Sequence, residues 1–204
     1  MSFWTDKVVL ITGASSGIGR GLALELTRRD AKLGLVARRK ELLDEIITEI
    51  GANQKANGGG PANVLAISGN VQEADSIRMG AEQLHSQFGK IDVLIANAGI
   101  GGNDDPARLD AAKFANVINT NVIGVSNSVA AVVPDMVKRG SGQLVVISSL
   151  AAYRGLPKSA AYCASKAAVS AMRLRPTRST SIFISTPIRS CSGLMLPAMY
   201  ARRL

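Results

Sequence analysis

The stretch from Lys7 to Arg29 constrains this chain more than any other. Lys7–Thr12 (Lys-Val-Val-Leu-Ile-Thr) is a short apolar, β-branched run, which predicts a strand buried in a parallel sheet. It opens into Gly13-Ala-Ser-Ser-Gly17-Ile-Gly19, and then into a helical stretch, Arg20–Arg29. Strand, glycine turn and helix in that order aim backbone N–H groups and a helix N-terminus at a phosphate. The spacing is Gly-x-x-x-Gly-x-Gly, not the Gly-x-Gly-x-x-Gly of the usual dinucleotide fingerprint.

Strands and helices alternate from there on. Lys32–Ala37, Val64–Ile67 and Ile91–Ala96 read as strands, and so does the run from Leu144 to Ile147. Glu41–Ile50, Glu73–Phe88 and Asp110–Arg139 read as helices, the last interrupted near Gly124 and Pro134. Gly51–Asn63, with its Gly-Gly-Gly-Pro, reads as a loop inside the domain. This alternation predicts a doubly wound α/β parallel sheet with helices on both faces, in one domain over 1–204.

The residues after the second strand bear on the cofactor. A carboxylate there would bind the ribose 2′-hydroxyl of NAD, whereas arginine suits a 2′-phosphate. The chain offers Arg38, Arg39 and Lys40, with no acid before Glu41. Arginine's planar fork matches phosphate, and cations are unfavourable at a helix N-terminus unless an anion joins them. NADP(H) is expected over NAD(H).

Further on, Ser149–Lys166 places Tyr162 and Lys166 four apart in an Ala-rich helical segment. Residues i and i+4 share a helix face, and a lysine charge beside a tyrosine favours the phenolate. A phenol so placed serves as an acid and base near neutral pH. Ser149 follows the strand that ends at Ile147, so its hydroxyl is expected near the strand's carboxyl end.

Taken together, these residues resemble the short-chain dehydrogenase/reductase family. Thr12–Gly19 matches its Thr-Gly-x-x-x-Gly-x-Gly motif, and Asn97-Ala98-Gly99 its Asn-Ala-Gly motif. Asn121 matches the family's helix asparagine, and Ser149, Tyr162 and Lys166 complete the set over residues 7 to about 171. The resemblance implies a Rossmann-type fold and hydride transfer between a nicotinamide and a carbonyl or secondary alcohol. It makes Asn121, Ser149, Tyr162 and Lys166 the catalytic residues. Tyr162 would donate the proton, Lys166 would hold the nicotinamide ribose, Ser149 would bond the carbonyl oxygen, and Asn121 would fix a water. Gly13, Ser15, Ser16, Gly17, Ile18, Gly19, Arg38, Arg39, Asn70, Val71, Asn97, Ala98 and Gly99 would bind cofactor with Tyr162 and Lys166. Asn70 stands where the family usually has an aspartate that bonds the adenine amine, so an altered adenine contact is expected.

The second departure is the C-terminal end. Pro176 is expected to stop the catalytic helix early, and Thr180–Ile184 to form the next strand. Ser185–Ser190 falls where the resemblance places a Pro-Gly segment over the nicotinamide, and the family's last helix and seventh strand are expected to be missing. Composition changes here too. Residues 1–135 hold 13 Lys and Arg against 15 acids, but residues 136–204 hold 11 and no acid. Residues 172–204 are a shortened working variant, a frameshifted or mis-spliced end, or a basic anion-binding tail. Few aromatics (Phe183, Tyr200) and spaced charges argue against nucleic acid.

The remaining expectations are brief. No apolar run approaches the ~18 residues of a membrane span, and the N-terminus lacks the apolar core of a signal peptide. Cys163 and Cys191 read as reduced thiols of a cytoplasmic protein, and the lone His85 completes no metal site. The expected partner is a small carbonyl or alcohol substrate. The missing last strand leaves room for a homodimer and argues against a tetramer. The competing function is a cofactor-binding protein whose substrate site is incomplete.

Overall fold

The computed structural model describes residues 2–56, 58, 60–102 and 104–172, together with the backbone of 180–185. The expected helix stop at Pro176, and everything from 186 to 204, lie outside the described residues.

Six strands form one parallel sheet: β1 (Val8–Thr12), β2 (Lys32–Ala37), β3 (Val64–Ser68), β4 (Val93–Ala96), β5 (Gly142–Ile147) and β6 (Thr180–Ser185). Their order is β3-β2-β1-β4-β5-β6. The central strand β1 is buried along its whole length, because helices cover both faces. Its side chains alternate between two cores. Val8 and Leu10 join Ile77 and Leu84 of helix α3 (Ala74–Phe88) and Val125, Val132 and Met136 of α5 (Gly124–Lys138). Val9 and Ile11 join Leu26 of α1 (Gly17–Thr27) and Leu43, Ile46 and Ile50 of α2 (Lys40–Ala56).

Two expectations change. Helix α2 continues to Ala56 through the stretch read as loop; Ile50 is buried, and one glycine at position 51 costs only about 1 kcal/mol. The long helix is interrupted near Gly124, as expected, but not near Pro134. Between α4 (Ala111–Ile118) and α5 lies a π turn, Asn119–Ile123. Pro134 sits inside α5 without ending it, on an exposed stretch where water can take the carbonyl it leaves unpaired. Ala111–Lys138 is the one run among the described residues long and apolar enough to cross a membrane. Its buried residues Val125, Val132 and Met136 pack into the core.

Chain order reverses between β1 and β4. Both strands end there at their carboxyl edge, where a doubly wound sheet leaves a crevice.

Candidate functional site

The crevice is a groove of about 640 Å³, and its floor is built by glycine. Gly13 has φ +67°, a conformation that penalises a side chain. A Cβ there would also stand 2.6 Å from the Ala98 Cα. Gly17, at φ +55°, starts α1. Ser16 makes no side-chain cap, and the first turn holds no acid, so helix donors and the positive end of the dipole face the groove unopposed.

Gly19 does not line the groove. It lies beneath, where a Cβ would meet the Gly13 carbonyl oxygen at 2.4 Å and Asn97 Nδ2 at 2.6 Å. Neither neighbour can give way, because Asn97 Nδ2 donates to the carbonyls of Thr12 (3.1 Å) and Gly13 (3.0 Å). Thr12 Oγ1 in turn accepts from the Asn97 and Ala98 N–H groups, each at 3.2 Å. Gly19→Ala is therefore expected to destabilise the apo protein by about 1–3 kcal/mol, as read by urea unfolding.

Past β2, Arg38 and Arg39 are exposed on the groove's rim. Neither guanidinium pairs with a carboxylate among the described residues, whereas Lys40 pairs with Asp44 at 2.8 Å. Past β3, Asn70 Oδ1 accepts from the Gln72 N–H (3.2 Å), and Asn70 Nδ2 donates to Glu73 (2.8 Å). One lone pair of that amide oxygen stays available. Val71 lines the groove beside it and packs against the Cα of Gly124.

The opposite wall comes from the π turn and from α6 (Ala160–Ala171). Asn121 is buried, and its amide grips the backbone of one residue on both sides. Oδ1 accepts from the Ile100 N–H (2.8 Å) while Nδ2 donates to the Ile100 carbonyl (2.9 Å) and to Ser165 Oγ (2.9 Å). A π turn shifts the backbone ladder by one residue. Lys166, 6% exposed, donates from Nζ to the Ile147 carbonyl at 2.8 Å. No carboxylate pairs with it among the described residues, and burial lowers its pKa to about 8. The same Nζ stands 5.6 Å from the centroid of the half-buried Tyr162 ring. A Cβ on Gly99 would lie 3.3 Å from Asn121 Oδ1 and 3.6 Å from Lys166 Nζ, so these two groups converge on the Asn97–Gly99 turn.

Of the residues singled out in the sequence, all but Gly19, Asn121 and Ser149 line the groove. Asn121 stands behind its wall. Ser149 lies at the carboxyl end of β5, half-buried, and opens a 3-10 turn, Leu150–Ala152, with Oγ accepting from the Ala151 N–H (3.2 Å). An accepting hydroxyl still has its own proton to donate. The sequence reading missed Gln72 and Ser148, which line the groove. Gln72 Nε2 ties the β3–α3 loop to Asn116 (2.9 Å) and Thr120 (2.8 Å). Ser148 Oγ sits 2.6 Å from Ser170 Oγ. Their signal was position: Ser148 follows directly on β5, and Gln72 lies in the loop that leaves β3, both at the sheet's carboxyl edge.

Comparison with known proteins gives the family. A family model for short chain dehydrogenases matches residues 7–177. An uncharacterized oxidoreductase of Myxococcus xanthus is 40% identical over 83% of the chain, and the match spans 64% of that relative's length. The crystal structure of levodione reductase superposes with a TM-score of 0.76 at 33% identity, over 81% of this chain and 63% of the other. An alcohol dehydrogenase from Thermococcus sibiricus complexed with 5-hydroxy-NADP gives 0.72 at 31%, covering 81% and 67%. An NAD+-bound xylitol dehydrogenase gives 0.73 at 29%, covering 82% and 62%. By the family match and by the architecture that carries it, this chain belongs to the short chain dehydrogenase family.

Proposed function

We propose that the chain is an NADP(H)-dependent oxidoreductase that interconverts a carbonyl and a secondary alcohol, with Tyr162 as its general acid and base. The observation that carries this reading is the convergence of Lys166 and Tyr162 on the groove whose opposite end is the glycine cradle. The residues present fit a dinucleotide. Gly13 turns the chain where Ala98 leaves no room for a Cβ, Gly17 faces open space, and the uncapped start of α1 suits a pyrophosphate. When bound, the nicotinamide supplies the hydride chemistry.

Each side chain then has a defined task. Tyr162 gives its phenolic proton to the oxygen of the carbonyl being reduced, and takes it back in oxidation. Lys166 stabilises the negative charge left on the phenol oxygen. Ser149 donates to the reacting oxygen. Asn121 has its amide committed to Ile100 and Ser165, so it acts by holding the π turn against the Asn97–Gly99 turn. A water it positions would have to use its main chain.

Arg38 and Arg39 favour NADP(H), since neither pairs with a carboxylate among the described residues and both stand on the rim where an adenosine 2′-phosphate would lie. Titration with NADPH and NADH, read by nicotinamide fluorescence, tests this. Wild type is expected to prefer NADPH, and the Arg38→Ala/Arg39→Ala variant to lose about tenfold or more in NADPH affinity. Its affinity for NADH should change about twofold at most. Equal binding of both cofactors by wild type would refute the preference.

The competing reading is cofactor binding without turnover. Saturable NADPH binding with no reduction across a carbonyl panel would decide for it.

A further inference from the structure

The helix that carries Tyr162 and Lys166 has no cap of its own. Ser159 precedes α6 but makes no side-chain cap bond, and the first turn holds no acid. The Ala161 N–H donates instead to Asp104 Oδ2, at 2.9 Å and 57 positions away in sequence. Asp104 also donates its own N–H to the Lys158 carbonyl at 2.8 Å. Lys158 takes φ +54°, a left-handed conformation rare for a lysine, and it turns the chain into the helix. The Asp104 carboxylate is half-buried and pairs with no cation among the described residues. Its charge faces the positive end of α6, where an anion is favourable.

Asp104 belongs to the loop that begins at Asn97. That loop is fixed to the end of β1 by the Asn97 amide and to the π turn by the grip of Asn121 on Ile100. Asp104 is its third anchorage, and it holds the start of α6. One short loop thus ties together the glycine cradle, the π turn and the helix bearing the phenol.

We propose that Asp104 is a positioning residue for Tyr162: it caps α6 from the loop that follows β4 and fixes the phenol, one residue beyond the capped N–H, in the groove. The positioning role rests on the reading of Tyr162 as acid and base, whereas the cap does not. An asparagine in place of Asp104 keeps the accepting oxygen and loses the charge. An alanine loses both.

The test compares Asp104→Ala and Asp104→Asn by amide hydrogen exchange, NADPH titration and steady-state turnover. In Asp104→Ala the Ala161 and Tyr162 amides should exchange about tenfold faster than in wild type. NADPH affinity should stay within about threefold, and kcat should fall about tenfold with KM little changed. Asp104→Asn should recover most of both losses. Unchanged exchange in Asp104→Ala would overturn the cap. Faster exchange with unaltered kcat would overturn the positioning role, and so would an asparagine variant as impaired as the alanine one. A wild type that binds NADPH but never turns over would remove the positioning role along with the proposed function, while exchange would still decide the cap.

Discussion

Tyr162→Phe is expected to lose at least about a hundredfold in turnover while binding NADPH within about threefold of wild type. The substitution removes one O–H and nothing else the structure uses. The ring keeps its place on α6, and the Lys166 ammonium keeps an aromatic face 5.6 Å from its nitrogen. The Tyr162 carbonyl still accepts from Ser165 Oγ at 2.7 Å, so the helix loses no bond. General acid–base catalysis contributes about 10²–10⁴-fold, and a phenylalanine has no proton to contribute. The two halves of this result separate binding from chemistry. NADPH fluorescence reads the first, and reduction of a carbonyl panel reads the second. A variant that kept more than a few per cent of wild-type turnover would show that the proton comes from elsewhere. A variant that lost cofactor binding as well would show that the phenol helps to build the groove.

The sequence made the sheet and cradle legible because both depend on local signals. β-branched runs such as Val8–Thr12 suit a strand buried on two faces, the usual condition of a parallel sheet, and Gly13 and Gly17 mark backbone that a side chain would strain. Tyr162 and Lys166 were legible because four-residue spacing on a helix is itself geometry. What the sequence concealed depends on distance or on backbone ladders. A π turn at Asn119–Ile123 has no composition of its own, so the sequence marks an interruption near Gly124 but not its form, and Gly124 itself permits close packing on Val71. The commitment of Asn121 to Ile100 and of Asp104 to Ala161 joins partners 21 and 57 positions apart. No spacing rule reaches that far. Gly19 belongs to the motif yet serves packing under the groove, because a motif records which glycines are needed and not which face they present.

Lys166→Met is expected to abolish turnover and, at the same time, to remove most of the pH dependence this lysine imposes on stability. The ammonium is 6% exposed, and burial lowers its pKa from 10.5 to about 8. The folded state therefore binds fewer protons than the unfolded chain between those two values, and stability contributed by this group rises with pH across that window. Below about pH 8 the full cost of burying the charge is present, on the order of 3 kcal/mol. It relaxes as the pH climbs towards 10.5. At neutral pH the methionine variant escapes that cost but leaves the Ile147 carbonyl without its donor, a loss of about 1–3 kcal/mol. The two effects oppose each other, so the variant should be close to wild type in stability at pH 7. Between pH 7 and pH 10 the wild type should gain on it by about 2–3 kcal/mol. Urea unfolding of both apo proteins across that range measures the gap. A gap that does not move with pH would mean that the lysine is buried at no electrostatic cost. A gap that widens as stated, joined to lost turnover, would mean that the fold tolerates an unfavourable charge at the one place where the proposed chemistry requires it.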